Sequence, residues 1–242
     1  MSITVTNPEG RNVEFKSQRG PTCGLYALSF VLEYLYDIKI PATADGDKTR
    51  ESLRNKFKKD GKTVIGELYD ATPDMADYIK ALEPSGNIKC RSVACNVSAI
   101  IETLRNGGLC MVPFCVDAGG NPDHSGIDAH WCVLQTVPDG TKPDEAAALH
   151  WEDTVRKFSL TALKNSNNAI RDLEEQYWGK IPAGSYSISI EGLDYVQCNT
   201  DADTSVQCER LLSFPIKPGS IKQIPATALS QTLAGKMLVF EK

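Results

Sequence analysis

Apolar and polar positions alternate over residues 1–17, where Ile3 and Val5, then Val13 and Phe15, fall two apart. A period of two predicts a short edge strand or an extended arm. The pattern changes at Cys23. From there to Tyr36 the chain carries Leu25, Tyr26, Leu28, Phe30, Val31, Leu32, Tyr34 and Leu35, so apolar groups lie on most sides of a helix. Such a helix belongs in the interior. Residues 37–47, with Pro41 and Gly46, read as a loop. Residues 48–59 are charged, with Leu53 and Phe57 four apart, which predicts a surface helix. Thr72 is an N-cap candidate and Pro73 suits the first helical position; Met75, Tyr78, Ile79 and Leu82 give that helix one apolar face. Residues 96–106 predict another, with Ile100, Ile101 and Leu104 inward and Gly107-Gly108 as its stop.

Beyond that stop the periodicity turns to strands. Residues 109–116 (LCMVPFCV) and 129–137 (AHWCVLQTV) are apolar enough for buried strands, and 146–151 predicts a third. The Gly, Pro and Asp-rich loop 117–128 separates the first two, with Gly119, Gly120 and Gly126 suited to a gate over a cleft. Residues 158–168 predict a short helix. Residues 186–190, 207–214 and 237–240 are strand-like. Helices thus dominate residues 1–108 and strands 109–242. That order predicts one α+β domain over 1–242, a helical lobe packed against an antiparallel sheet lobe.

Composition narrows the possible roles. A formal net charge of -5, with no basic block beyond pairs such as Lys58-Lys59, argues against a general nucleic-acid binder. No apolar run reaches the ~18 residues of a membrane span. The N-terminus MSITVTNPEGRNVEF lacks the apolar stretch of a secretory signal, so a cytoplasmic protein with free thiols among its eight cysteines is expected. Cys90/Cys95 and Cys110/Cys115 each leave four residues between, not the tight gap of a zinc knuckle. No phosphate-binding glycine loop or dinucleotide fingerprint is present. No metal and no cofactor are expected.

The chemistry that the sequence does offer centres on QRGPTCGLYAL, residues 18–28. Cys23 stands behind Pro21 and Thr22 at the head of the apolar helix. Free N–H groups and the positive end of the helix dipole stabilise a thiolate there. Gln18 can offer an amide N–H to an oxyanion forming beside Cys23. The competing reading is a buried structural cysteine. A thiol nucleophile needs a base, and the histidines are His124, His130 and His150. His130 opens a buried strand directly after the flexible loop, which suits the mouth of a cleft, with Trp131 pointing to the opposite face. If the second and third strands form a hairpin around Gly140 and Thr141, residues 129–130 face 151–153. A group orienting the imidazole is expected from there. Asp153, Glu152 and His150 are candidates, with Asp153 preferred because a carboxylate steadies an imidazolium; Asn167 is a further alternative.

At these residues the sequence resembles the actin maturation proteases, papain-like cysteine peptidases related in fold to the C39-type group. QRGPTCGLYAL is similar to that family's Gln-x-Gly-Pro-x-Cys-Gly-Leu block, TVIGELYDATPDMADY to its Gly-Glu-Met/Leu and Asp-Met-Ala segment, and DAHWCVLQ to its Ala-His-Trp block. LKNSNNAI resembles its Ser-Asn corner, at Ser166 and Asn167. One departure is that His150 is followed by Trp151, Glu152 and Asp153 where the family often shows a Gly-Lys-Ser motif. The resemblance implies Cys23 as nucleophile, His130 as base and Gln18 as oxyanion donor. It implies a cysteine aminopeptidase that removes an acetylated Met or Cys from the N-terminus of immature actin, with actin as partner and no nucleic acid or membrane. An acidic product end favours a local basic rim, expected from Arg19, Arg91 or Lys89. The alternatives are another papain-like peptidase or acyltransferase, such as an isopeptidase or a microbial effector, and a catalytically inactive binding module.

Overall fold

The computed structural model describes residues 2–18, 22–44, 51–60, 62–63, 66–126, 129–136, 140–150, 154–171 and 229–242. The N-terminal arm is two strands, β1 (Ser2–Thr6) and β2 (Asn12–Lys16), paired antiparallel from Ser2↔Lys16 to Thr6↔Asn12. Asn7 builds the turn between them: its Oδ1 accepts the N–H groups of Glu9 and Arg11 at 3.1 and 2.8 Å. Its Nδ2 donates to the Tyr34 carbonyl at 3.0 Å, which ties the turn to the main body. Alternation then buries Val13 and Phe15 and leaves Asn12, Glu14 and Lys16 outward.

Helix α1 spans Cys23–Tyr36 and is the buried centre that its apolar pattern predicts. It ends at Asp37, whose φ of 56° turns the chain left-handed so that its N–H caps the Glu33 and Leu32 carbonyls. Then follow α2 (Leu53–Lys59), α3 (Pro73–Lys80), β3 (Lys89–Ala94), α4 (Val97–Arg105), β4 (Leu109–Val116), β5 (Pro122–Asp123) and β6 (Ala129–Leu134). The chain continues through β7 (Glu145–Leu149), β8 (Arg156–Ser159), α5 (Leu160–Ala169), α6 (Leu229–Thr232) and β9 (Lys236–Glu241). Among the described residues the main sheet runs β3-β9-β4-β6-β7-β8, every neighbour antiparallel, with β5 beside β4. The fold is α+β, helices against an antiparallel sheet, as a papain-like peptidase requires.

Two local outcomes differ from the sequence pattern, and a third follows it. KCRSVA forms β3, an edge strand whose alternation is too short to stand out. Residues 156–159 are strand, because the Ser159 side chain accepts the Ala162 N–H at 3.2 Å and starts the helix only at Leu160. The strand-like residues 237–240 sit inside the sheet as β9, whereas 186–190 and 207–214 lie outside the described residues.

The two faces of the sheet hold two interiors. Leu25, Leu28 and Leu32 of α1 and Met75 and Ile79 of α3 pack with Met111, Trp131, Val133 and Phe240 on one face. On the other, Ile100 and Leu104 of α4 and Leu160 and Leu163 of α5 pack with Val112, Phe114, Cys132 and Val239. The corner at Ser166 and Asn167 locks the second face. Ser166 Oγ accepts the Cys115 N–H at 2.9 Å and donates to the Cys115 carbonyl at 2.8 Å. Asn167 Nδ2 donates to the Pro113 and Lys236 carbonyls at 2.8 and 3.0 Å. Among the described residues no helix is long and apolar enough to cross a membrane.

Candidate active site

Cys23 is the first residue of α1 and half-buried. Thr22 occupies the N-cap position, yet its side chain makes no cap hydrogen bond; its carbonyl accepts the Tyr26 N–H at 3.0 Å. The Thr22 methyl is used for packing instead. It lies so close to Gly66 that a Cβ there would approach Thr22 Cγ2 to 2.5 Å, and Gly66 has a φ of 126°. Gly24 is needed for the same reason of space. An added Cβ would meet Leu68 Cβ at 2.6 Å and Trp131 Cδ1 at 3.0 Å. The Gly66-Glu67-Leu68 segment therefore crosses directly over the start of α1.

That segment is pinned on both sides. The Gly66 N–H donates to Thr63 Oγ1 and to Glu67 Oε2, each at 2.9 Å, and Glu67 is buried. Leu68 accepts the indole N–H of Trp131 at 2.7 Å. Sequence reasoning marked the Gly-Glu-Leu stretch only as a resemblance; its two close approaches are what a glycine at those positions signals.

The backbone N–H groups of Trp131 and Gly24 lie near enough to favour the ionised form of the Cys23 thiol. Cys23, at the head of α1, thus lies beside Trp131 of β6. These donors pull the thiol toward ionisation, but burial outweighs them and pushes it up to about 11. Burial in this tight corner thus works against the helix terminus, which favours the thiolate.

His130 is buried and neighbours Trp131 in sequence, but its ring lies on the other face of β6. It pairs across the sheet with Phe114, edge to face at 5.7 Å, and its ring is 5.3 Å from that of His150. Burial first, and the charge of His150 second, push its imidazole down to about 3. The alternation of His130 and Trp131 holds as the sequence predicts, and it is Trp131 that faces α1. β6 and β7 pair antiparallel, Val133↔Leu149 and Leu134↔Ala148, as the hairpin expectation has it, while residues 151–153 lie outside the described residues.

The remaining candidates fall as follows. Gln18 is half-buried and makes no hydrogen bond among the described residues. His150 is buried, with its ring 5.6 and 5.2 Å from those of Phe114 and Phe158. Glu152 and Asp153 lie outside the described residues, as does Arg19. Asn167 spends its amide on the carbonyls of β4 and β9 and so serves the fold. His124 is exposed. Lys89 and Arg91 stand on β3, three strands from β6; the Tyr36 hydroxyl at the far end of α1 donates to the Lys89 carbonyl at 3.0 Å. They do not rim the thiol. The loop after β4 is held by Asp117 Oδ1, which accepts the N–H groups of Gly119 and Asn121 at 2.8 Å. The carbonyl of Gly126 is bonded to the Arg171 N–H at 2.9 Å.

What this arrangement offers is a thiol at a helix start, the backbone of Trp131 beside it, and a histidine next to Trp131 along the strand. Curated protein sequences give no match. The sequence does match, over residues 13–137, the family described as actin maturation protease-like, C-terminal domain. That stretch runs from β2 to just past β6, is more than half of the 242 residues, and contains both Cys23 and His130. The chain belongs to the actin maturation protease-like family.

Proposed function

We propose that the chain is a cysteine aminopeptidase, a single papain-like domain over residues 1–242. It removes the acetylated Met or Cys from the N-terminus of immature actin in the cytoplasm. The observation that carries this reading is the seating of Cys23: a thiol inside the family match, on the first turn of α1 and beside Trp131 of the strand that also carries His130.

Both partners are neutral at rest, so the proton moves with the attack rather than before it. Cys23 passes its thiol proton to His130 as the sulfur bonds to the carbonyl carbon of the first residue. The Cys23 N–H and the Gln18 amide take the oxyanion. The C–N bond then breaks, His130 protonates the leaving amine, and water cleaves the thioester to free the acetylated residue and restore the thiol. The Trp131 N–H steadies the sulfur as it leaves. For these proton transfers the His130 imidazole must leave its packing against Phe114 and come round β6 to Cys23. Asp153 is assigned to steady the imidazolium on chemical grounds.

One observation favours a second reading, an inactive binding module: the His130 ring is packed against Phe114 and His150 on the face away from α1. The decisive experiment is mass spectrometry of acetyl-Met-Asp and acetyl-Cys-Asp actin-type peptides incubated with the protein and with Cys23→Ala. Loss of one acetylated residue with the unmutated protein alone is expected. Intact peptides and intact folded actin in both incubations favour the module.

A further inference from the structure

A groove of about 310 Å³ lies between β2, α1 and residues 39–43. Tyr26, Phe30 and Glu33, spaced four and three apart, present one stripe of α1 to it. On the opposite wall are Asn12, Glu14 and Lys16. The groove runs along α1 from its first turn to its third. Its near end is at Tyr26, three residues and so about 4.5 Å of helix rise from Cys23.

The backbone of β2 decides what the groove can hold. The turn closes with the Asn7 N–H on the Arg11 carbonyl at 2.8 Å. In an antiparallel pair hydrogen-bonded and non-bonded positions alternate. In the observed register, Val5↔Val13 and Ile3↔Phe15 are then the bonded pairs. Asn12, Glu14 and Lys16 consequently turn their backbone N–H and C=O groups away from β1. These are the same residues that line the groove, and β2 pairs with β1 alone among the described residues.

The direction of β2 is fixed by its contacts. Arg11 forms an ion pair with Asp37 just past the end of α1, and Phe15 meets Phe30 edge to face at 5.5 Å. β2 therefore runs antiparallel to α1, with Lys16 toward the nucleophile. A polypeptide leaving Cys23 along the groove runs antiparallel to β2. Lys16 and Lys39 balance Glu14 and Glu33 in the lining, so charge selects little and the main-chain groups dominate.

We propose that this groove binds the substrate polypeptide downstream of the scissile bond, as an extended third strand of the β1–β2 ribbon with weak sequence preference. The proposal rests on the aminopeptidase reading for the identity of its occupant, since everything beyond the first residue of such a substrate is downstream. About five substrate residues match the length of β2, and their alternate amides meet Asn12, Glu14 and Lys16. The charges of Glu14 and Lys16 also keep this open edge from pairing with itself.

The test uses the full chain as Cys23→Ala and C-terminally labelled peptides: acetyl-Met plus one residue, and acetyl-Met plus seven, read by fluorescence anisotropy. The longer peptide is expected to bind at least about tenfold more tightly. N-methylation of alternate amides in one parity should abolish that gain, and methylation in the other parity should leave it. Glu14→Pro should abolish it too, with an unchanged melting temperature, because that N–H faces away from β1 and proline is tolerated on such an edge. Equal affinities for the two lengths, including no binding of either, overturn the proposal. So does a gain that ignores methylation parity and Glu14→Pro. The aminopeptidase reading fails separately, when the unmutated chain leaves the long peptide uncleaved although Cys23→Ala binds it in the groove.

Discussion

Trp131 and His130 are neighbours in β6 and lie in different interiors. Trp131 faces α1, gives its indole N–H to the Leu68 carbonyl and lies beside Cys23. His130 lies on the opposite face, against Phe114 and His150. Burial acts on both faces with opposite sign: it raises an acid, the Cys23 thiol, and lowers a base, the His130 imidazole. The comparison teaches that burial on either face of one strand favours the uncharged form, thiol and imidazole alike. An ion pair requires one of the two side chains to change face; among the described residues β6 pairs with β7 only at Val133 and Leu134.

The largest effect on that comparison comes from Cys23→Ala. It should lower turnover of an acetylated peptide by about 10⁴-fold or more, with fold and melting temperature kept, as read by product mass spectrometry. His130→Gln removes the base from the other face and should cost about 10²–10⁴-fold in kcat.

His130 also marks the second face through acid stability. Its folded value, about 3, lies below its ordinary 6.5, so it contributes stability that is present above pH 6.5 and lost as pH falls toward 3. Denaturant titrations at pH 7 and pH 4 should show His130→Gln losing less stability than the unmutated protein, by on the order of a few kcal/mol.

Trp131→Phe acts on the α1 face. It deletes the donor to Leu68 and part of the packing over Gly24, and should cost about 3 kcal/mol in urea unfolding. Gly24→Ala places a methyl 2.6 Å from Leu68 Cβ and should cost about 1–3 kcal/mol. If Gly24→Ala instead leaves stability and Cys23 reactivity untouched, the tight corner that raises the thiol does not exist.

Much of this was legible in the sequence because its periodicities are long. The apolar run from Cys23 predicted α1 with both its ends, and LCMVPFCV predicted β4. The thiol, the histidine and the Gly-Glu-Leu stretch were legible by type and order. Their seating was not. Alternation says that His130 and Trp131 point to opposite faces, but only the sheet order says which face α1 covers. The state of the thiol was illegible for a related reason. A helix terminus is visible in sequence, whereas the desolvation imposed by Leu68 and Trp131 comes from residues 45 and 108 positions away. The edge strand β3 and the turn at Asn7 were hidden by shortness, and side-chain to backbone bonds rather than periodicity define the turn.

The most direct test of the account is the pH dependence of Cys23 alkylation by iodoacetamide in the folded, substrate-free protein, followed by peptide mass spectrometry. The account predicts a rate that is low at pH 7 and still climbing at pH 10, with a midpoint near 11. A rate already on its plateau at pH 7 would mean a standing thiolate and would contradict the storage of nucleophile and base as a neutral pair.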